Sequence, residues 1–251
     1  TIFKLFFQQR IIFYFIRKRS LMQEALEENY VANVTHSLKA PIASVKALTE
    51  ALVDAVPCDA EKQQPYFGMI LKEVNAQSHM VQEILDLSRL QSGRIEFQKT
   101  YFSADECFSD LFEKYATYCE FSQIPFSVQD SIHNLPELFS DRQYINQLMG
   151  ILLENAVKYV YESGAGIEVS AAIDHGKAVF CVYDDGSAIP AKDLPNVFHT
   201  FYTGENAADK NSSGMGLAIA KAITDSLKER IWIESSEKKG TSIYFTVSVH
   251  S

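Results

Sequence analysis

The chain has 251 residues, is 47% hydrophobic and carries a formal net charge of −9. That is enough for one large core, or for a small helical unit beside a larger one. The acidic balance argues against nucleic acid as the main partner. The four cysteines, Cys58, Cys107, Cys119 and Cys181, include no CxxC pair, which reads as idle thiols in a reducing compartment.

Residues 1–20, TIFKLFFQQRIIFYFIRKRS, hold Lys4, Arg10, Arg17, Lys18 and Arg19 and no acid. They are rich in Ile, Phe and Leu, but Lys4, Gln8, Gln9 and Arg10 interrupt them short of the ~20 apolar residues of a spanning helix. The segment reads as membrane-proximal, with the basic run at 17–19 on the cytoplasmic side. An amphipathic helix packed on protein is the other reading. The start at Thr leads us to expect a piece of a longer protein, whose missing N-terminal region carries the membrane attachment.

From about 21 to 56 the pattern is helical. Val31, Leu38, Val45 and Leu52 recur every seven residues, with Val34 and Leu48 between them, the seam of a coiled coil or bundle. Pro57 and the polar stretch CDAEKQQP make a turn. A second helix spans about 64 to 92, with Phe67, Val74 and Val81 seven apart and Ile70 and Ile84 beside them; Ser92-Gly93 closes it. The two helices form an antiparallel hairpin whose apolar stripes cannot be buried within one chain, so two copies should join in a four-helix bundle. In this register His36 falls at f, facing solvent, and Pro41 at a d position, where it removes a hydrogen bond and bends the helix.

Beyond residue 100 the pattern changes. A helix near 103–120, a strand near 124–128 and a helix near 142–161 lead to strands near 166–173 and 177–183. A loop region with helical pieces (189–215), a helix (216–227) and strands near 230–235 and 242–249 complete an α+β sandwich.

Three stretches there carry chemistry. LLENAVKYV (152–160) places Asn155, a neutral oxygen that suits Mg²⁺, one turn from Lys158, a phosphate partner. YDDGSAIP (183–190) ends a strand with Asp184, an acceptor for an exocyclic amine, followed by Gly186; alone it is an ordinary Asp-Gly turn. SSGMGLAIAKAI (212–223) opens a helix with Gly214 and Gly216, and free N–H groups there suit an anion. Between the last two lies NVFHTFYTGENAADKNSS, polar with anchors at Phe198 and Phe201, the composition of a lid.

Taken in order, these stretches resemble those of the bacterial two-component sensor histidine kinases. NVTHSLKAPI (33–42) resembles the phosphoacceptor box, LLENAVKYV the N box, YDDGSAIP the first glycine box, NVFHTFYT the phenylalanine box and SSGMGL the second glycine box. The resemblance implies a membrane-proximal segment (1–20), a dimerisation and histidine-phosphotransfer hairpin (21–95), and an ATP-binding α/β sandwich of the histidine kinase/gyrase superfold (100–251). It implies His36 as phosphoacceptor, Asn155 on Mg²⁺, Lys158 on phosphate and Asp184 on the adenine amine. Tyr159, Gly186, Gly214, Met215, Gly216 and Leu217 would complete the nucleotide site. ATP and Mg²⁺ would be the cofactors. The partners would be a second copy of the chain and the receiver domain of a response regulator, at the cytoplasmic side of the cell membrane. Pro41 would supply the bend around the phosphoacceptor.

Four positions depart from the family pattern. Ser37 stands where an acid usually follows the histidine, and Ala40 where Thr or Asn is tied to phosphatase activity. Ile151 replaces a second Asn one turn before Asn155, with Glu154 as a neighbouring oxygen donor. Ala188 replaces a second glycine, at roughly 1–2 kcal/mol if that position needs positive φ. These departures keep open a degenerate kinase that binds nucleotide and acts as a signalling scaffold. A gyrase-like or chaperone-like ATPase is disfavoured by the hairpin and His36 ahead of the sandwich.

Overall fold

The alternation that ends the chain becomes an inner strand of a sheet. The computed structural model describes residues 34–35, 37–54, 60–160, 166–204, 213–236 and 239–250. Residues 1–20 and His36 lie outside them, as do the expectations made for them. The chain divides into two compact units between Met80 and Val81.

In the first unit, helix α1 covers residues 37–54 and is followed by α2 (Ala60–Gln91). α2 begins about a turn earlier than the sequence suggests, because Pro65 falls within the helix instead of ending the turn before it. A proline so near a helix start removes a single early hydrogen bond. The Gln77 amide donates to the Leu38 carbonyl at 3.5 Å, tying the start of α1 to α2. Leu38, Val45, Leu48 and Leu52 are half-buried, whereas Phe67, Met69, Leu71 and Val74 of α2 stay exposed.

In the second unit the elements are β1 (Lys99–Phe102), α3 (Ala104–Phe121), β2 (Phe126–Val128), β3 (Leu138–Asp141), α4 (Arg142–Val160), β4 (Ile167–Asp174), β5 (Lys177–Asp184), α5 (Gly216–Leu227), β6 (Ile231–Ser236) and β7 (Gly240–Ser248). A five-stranded sheet runs β2-β4-β5-β7-β6; only the β2–β4 pair is parallel. Ala178, Phe180 and Val182 of β5 and Ile243, Phe245 and Val247 of β7 point to the core with almost no exposure, as the two-residue period of a strand requires. Phe180 stacks on Phe245 at 5.0 Å and meets Phe108 of α3 edge-on at 5.4 Å. Burying such a ring contributes about 1.5–3 kcal/mol. Leu148, Met149, Leu152 and Leu153 of α4 and Ile219, Ala220 and Ile223 of α5 fill the other layer.

β1 and β3 form a separate antiparallel pair that the sequence reading did not anticipate. Each is four residues long and has no alternating run to announce it. The pair is fixed by Asp141, whose carboxylate accepts from the Gln98 backbone N–H at 2.8 Å and from those of Gln143 and Tyr144 at 3.1 and 3.3 Å. One side chain thus joins the incoming chain to the start of α4.

At the same end of the sheet, where β3 bridges to Val249, Glu229 is buried and fully satisfied. It accepts from Lys177 Nζ at 2.7 Å, from the Thr246 hydroxyl, and from Ser248 N and Oγ at 3.0 and 2.7 Å. Burial pushes its pKa up, but the hydrogen bonds from Lys177, Thr246 and Ser248 and the charge of Lys177 outweigh this and leave it lowered. A lowered carboxyl contributes stability that is present above its unfolded pKa and lost as pH falls through the folded value. Glu229→Gln should therefore cost roughly 3 kcal/mol at neutral pH, at the low end for a buried pair because Lys177 reaches solvent. The gap between variant and wild type in urea melts should close in acid; a pH-independent gap would assign the loss to packing.

Candidate functional site

The core stripe of β5 runs Ala178, Phe180, Val182 and then Asp184, all buried. The pleat therefore drives a carboxyl into a position where the sequence supplies apolar residues elsewhere. Asp184 is 2% exposed. Burial is the main cause that raises its pKa to about 7; the Gly186 N–H, donating to Oδ1 at 3.1 Å, works against it, and the charge of Asp185 adds to it. Asp185 turns outward and accepts from the Gly166 N–H, which pins the turn to the start of β4.

Three close approaches hold this turn. A Cβ on Gly186 would lie 2.7 Å from the Tyr159 carbonyl oxygen of α4, and one on Gly240 would lie 2.1 Å from the Asp184 carbonyl oxygen. Gly186 is thus required by space, while Gly240, at φ +67°, is required by space and backbone alike. The Ile189 N–H donates to Ser235 Oγ at 2.8 Å, and Ser235 Oγ also lies 2.8 Å from Thr241 Oγ1. Ala188 is not among the positive-φ residues, so the missing glycine costs nothing in backbone strain.

The phenylalanine and second glycine boxes clasp each other. The Phe201 N–H donates to the Gly214 carbonyl at 2.9 Å; both residues have φ +64°, and a Cβ on Gly214 would meet the Phe201 backbone at 2.7 Å. Phe198 and Phe201 are half-buried, as expected of anchors. α5 then starts at Gly216 with Met215 at its N-cap and no side chain capping its first N–H groups, leaving them to an anion. Met215 is fully buried, and its N–H donates to Ser213 Oγ at 3.2 Å.

A half-open cleft lies between these parts. Asn155 and Tyr159 of α4 and Leu217 of α5 line it, as do Ser187 to Pro190, Asp193, Val197, Tyr202 and Gly204. The proximity of Asp184 adds to burial in raising the Tyr159 pKa. Asp184, Gly186, Gly214 and Gly216 are not among the residues that line the cleft. Lys158 is half-buried on α4, also off the lining. Ile151, one turn before Asn155, is half-buried and near enough that a Cβ on Gly216 would lie 3.4 Å from its Cγ2. Glu154 is exposed and lies near Tyr115 of α3, where its charge adds to burial in raising that phenol to about 12. Like Ile151, it is not among the residues that line the cleft.

The sequence reading missed Asp193, Val197, Tyr202 and Gly204. It identified their stretch as a lid, but the side chains that face inward depend on the turns between Pro190 and Tyr202. Among the described residues, no group of three or more His, Cys, Asp and Glu could hold a metal ion, and no helix is long and apolar enough to cross a membrane.

This architecture, with an acid at a strand end, glycines against it and an uncapped helix start, is that of an ATPase sandwich. Residues 140–251 match the family model described as histidine kinase-, DNA gyrase B-, and HSP90-like ATPase, and residues 26–93 match the His Kinase A (phospho-acceptor) domain. The chain belongs to the two-component sensor histidine kinases. It is 29% identical over 247 residues to sensor histidine kinase WalK of Bacillus subtilis (strain 168), across 94% of this chain and 39% of that protein. Sensor histidine kinase YxdK of the same organism is 28% identical, across 86% of this chain and 63% of its own length. The chain therefore spans only part of these relatives. Among solved structures, histidine kinase AdeS of Acinetobacter baumannii aligns with a TM-score of 0.67 and 20% identity, over 86% of this chain and 98% of that one. ThkA, in complex with response regulator protein TrrA, aligns at 0.70 with 21% identity, over 87% and 60%.

Proposed function

We propose that this chain is the kinase portion of a membrane-attached sensor histidine kinase. A ring nitrogen of His36 attacks the γ-phosphorus of ATP, the bond to the bridging oxygen breaks, and ADP leaves; the displaced ring proton passes to water. An aspartate of a response regulator then attacks the phosphorus and releases the histidine. The observation that carries this reading is the buried carboxyl of Asp184, locked by Gly186 and Gly240 and close to Tyr159, which lines the cleft. The phosphoacceptor family match, which includes position 36, supports the first step.

In this reading Asp184 takes the adenine amine, and Tyr159 and Leu217 flank the base. Gly214, Met215 and Gly216 bring backbone N–H groups to the phosphates, and Lys158 turns toward them. Asn155 would hold Mg²⁺; a neutral oxygen in the cleft suits a cation whose other ligands are phosphate and water. The ion would neutralise phosphate charge, so the work left to the chain is positioning. Residues 21–95 form the dimerising phosphotransfer unit and 100–251 the ATP-binding unit. The exposed Val53, Phe67, Met69 and Leu71 supply apolar surface for a second copy. Residues 1–20 face the membrane on its cytoplasmic side. The ShkA structure, described as a complex with AMPPNP, and the ThkA–TrrA complex support the choice of nucleotide and partner class.

The degenerate-scaffold reading draws on Ile151, whose apolar side chain approaches Gly216 at the start of α5. Incubation with labelled Mg-ATP separates the two. An acid-labile, base-stable label on wild type and none on His36→Gln is the expected result. ATP binding without label would favour the scaffold, and equal label on both proteins would remove His36 as acceptor.

A further inference from the structure

Asp193 stands at the head of the short 3-10 helix Leu194–Asn196 but makes no side-chain bond to it. A carboxylate at such a place normally accepts a following N–H. This one is 5% exposed, lines the cleft, and has an Oδ2 that is shut off from solvent without a hydrogen-bond partner. Tyr202 lies beside it, and its hydrogen bond to Asp193 is the foremost cause that raises the phenol pKa. Gly204 passes over the orphaned oxygen so closely that a Cβ there would sit 3.4 Å from it. A buried acceptor without a donor destabilises the fold, and none of the described residues donates to this oxygen, so a donor on a bound ligand would relieve it.

The chemistry of the cleft narrows what that partner is. A phosphate carries the same sign of charge as the carboxylate and is repelled. A divalent cation needs several hard oxygens, and no cluster of three acidic, His or Cys side chains exists among the described residues. The adenine amine belongs to Asp184 in the reading above. The donors left on a nucleotide are the ribose hydroxyls. We propose that Asp193 accepts a hydrogen bond from a ribose hydroxyl, so that the cleft selects ribonucleotides over their deoxy counterparts. This rests on the ATP-binding reading of the same cleft.

The test compares Kd values of ATP, 2′-deoxy-ATP and 3′-deoxy-ATP on the full chain by titration calorimetry. Wild type should bind ATP at least about ten-fold tighter than one of the deoxy analogues. Asp193→Ala should lose that discrimination, with ATP falling to the level of the analogue while the analogue is unchanged. Asp193→Asn, which keeps an acceptor oxygen and the side-chain volume, should restore part of it and guards against a misfolded alanine variant. Equal affinity of wild type for all three nucleotides would overturn the proposal and leave ATP binding intact. So would equal discrimination in the variants and wild type, or a parallel loss of affinity for every nucleotide, which would mark a purely structural role. Failure of wild type to bind any of the three would instead bring down the ATP-binding reading itself.

Discussion

Asp184→Asn should melt at a higher temperature than wild type at about pH 8 without ligand, yet bind ATP roughly 100-fold more weakly. Both effects come from one buried carboxyl. Its folded pKa is about 7, against ~4 for a free carboxyl in the unfolded chain. Between those values the folded protein holds a proton that the unfolded chain has released. The stability this provides is full below ~4 and lost as pH rises through about 7, with a ceiling of about 4 kcal/mol. Asn cannot ionise, escapes that loss, and can still accept from the Gly186 N–H. It gives up the charge that strengthens a bond from the adenine amine. For wild type, ATP affinity should weaken as pH drops below about 7, while the variant's stays flat. Thermal melts and titration calorimetry across this range provide the check. A variant that melts lower than wild type in mild alkali would mean that the carboxylate is well solvated or paired, contrary to its setting.

Gly240→Ala should destabilise the ATPase unit by roughly 3 kcal/mol, from left-handed strain and overpacking together. Its Cβ would enter the Asp184 carbonyl at 2.1 Å and the Asp185 Cα at 2.7 Å. Because both contacts are backbone, no rotamer change relieves them, and the end of β5 must move. ATP affinity should therefore fall even in molecules that remain folded. Gly176 supplies the control. It has φ +75° in the β4–β5 turn and nothing within 4 Å of an added Cβ, so Gly176→Ala should cost only about 1–2 kcal/mol and leave ATP affinity intact. Urea denaturation of the pair decides the matter. Matching losses would reduce Gly240 to a conformational glycine with no part in placing Asp184.

Long periodic elements were legible in the sequence because periodicity reports which face is buried. α3, α4, α5 and the strands β4, β5, β6 and β7 lie within a residue or two of where their patterns place them. Asn155 and Asp184 were proposed on different grounds. Alone, an Asn on a polar helix face and an Asp-Gly turn are ordinary; the order of the boxes around them singled them out. β1 and β3 gave no such signal, since strands of four residues owe their existence to each other and to Asp141.

By itself the sequence determined the order of the boxes, the family they resemble, and which faces of helix and strand turn inward. Tertiary structure alone decided how distant segments meet. It set Gly240 against Asp184 across neighbouring strands, and Gly186 against Tyr159 between strand end and helix. It brought Ile189 to Ser235, and placed Asp193 under Gly204 with an oxygen unsatisfied. Periodicity tells a residue whether it is buried; only the register of non-local pairs tells it what it is buried against. That difference makes Gly240 indispensable while Gly176, with the same backbone requirement, is merely a turn.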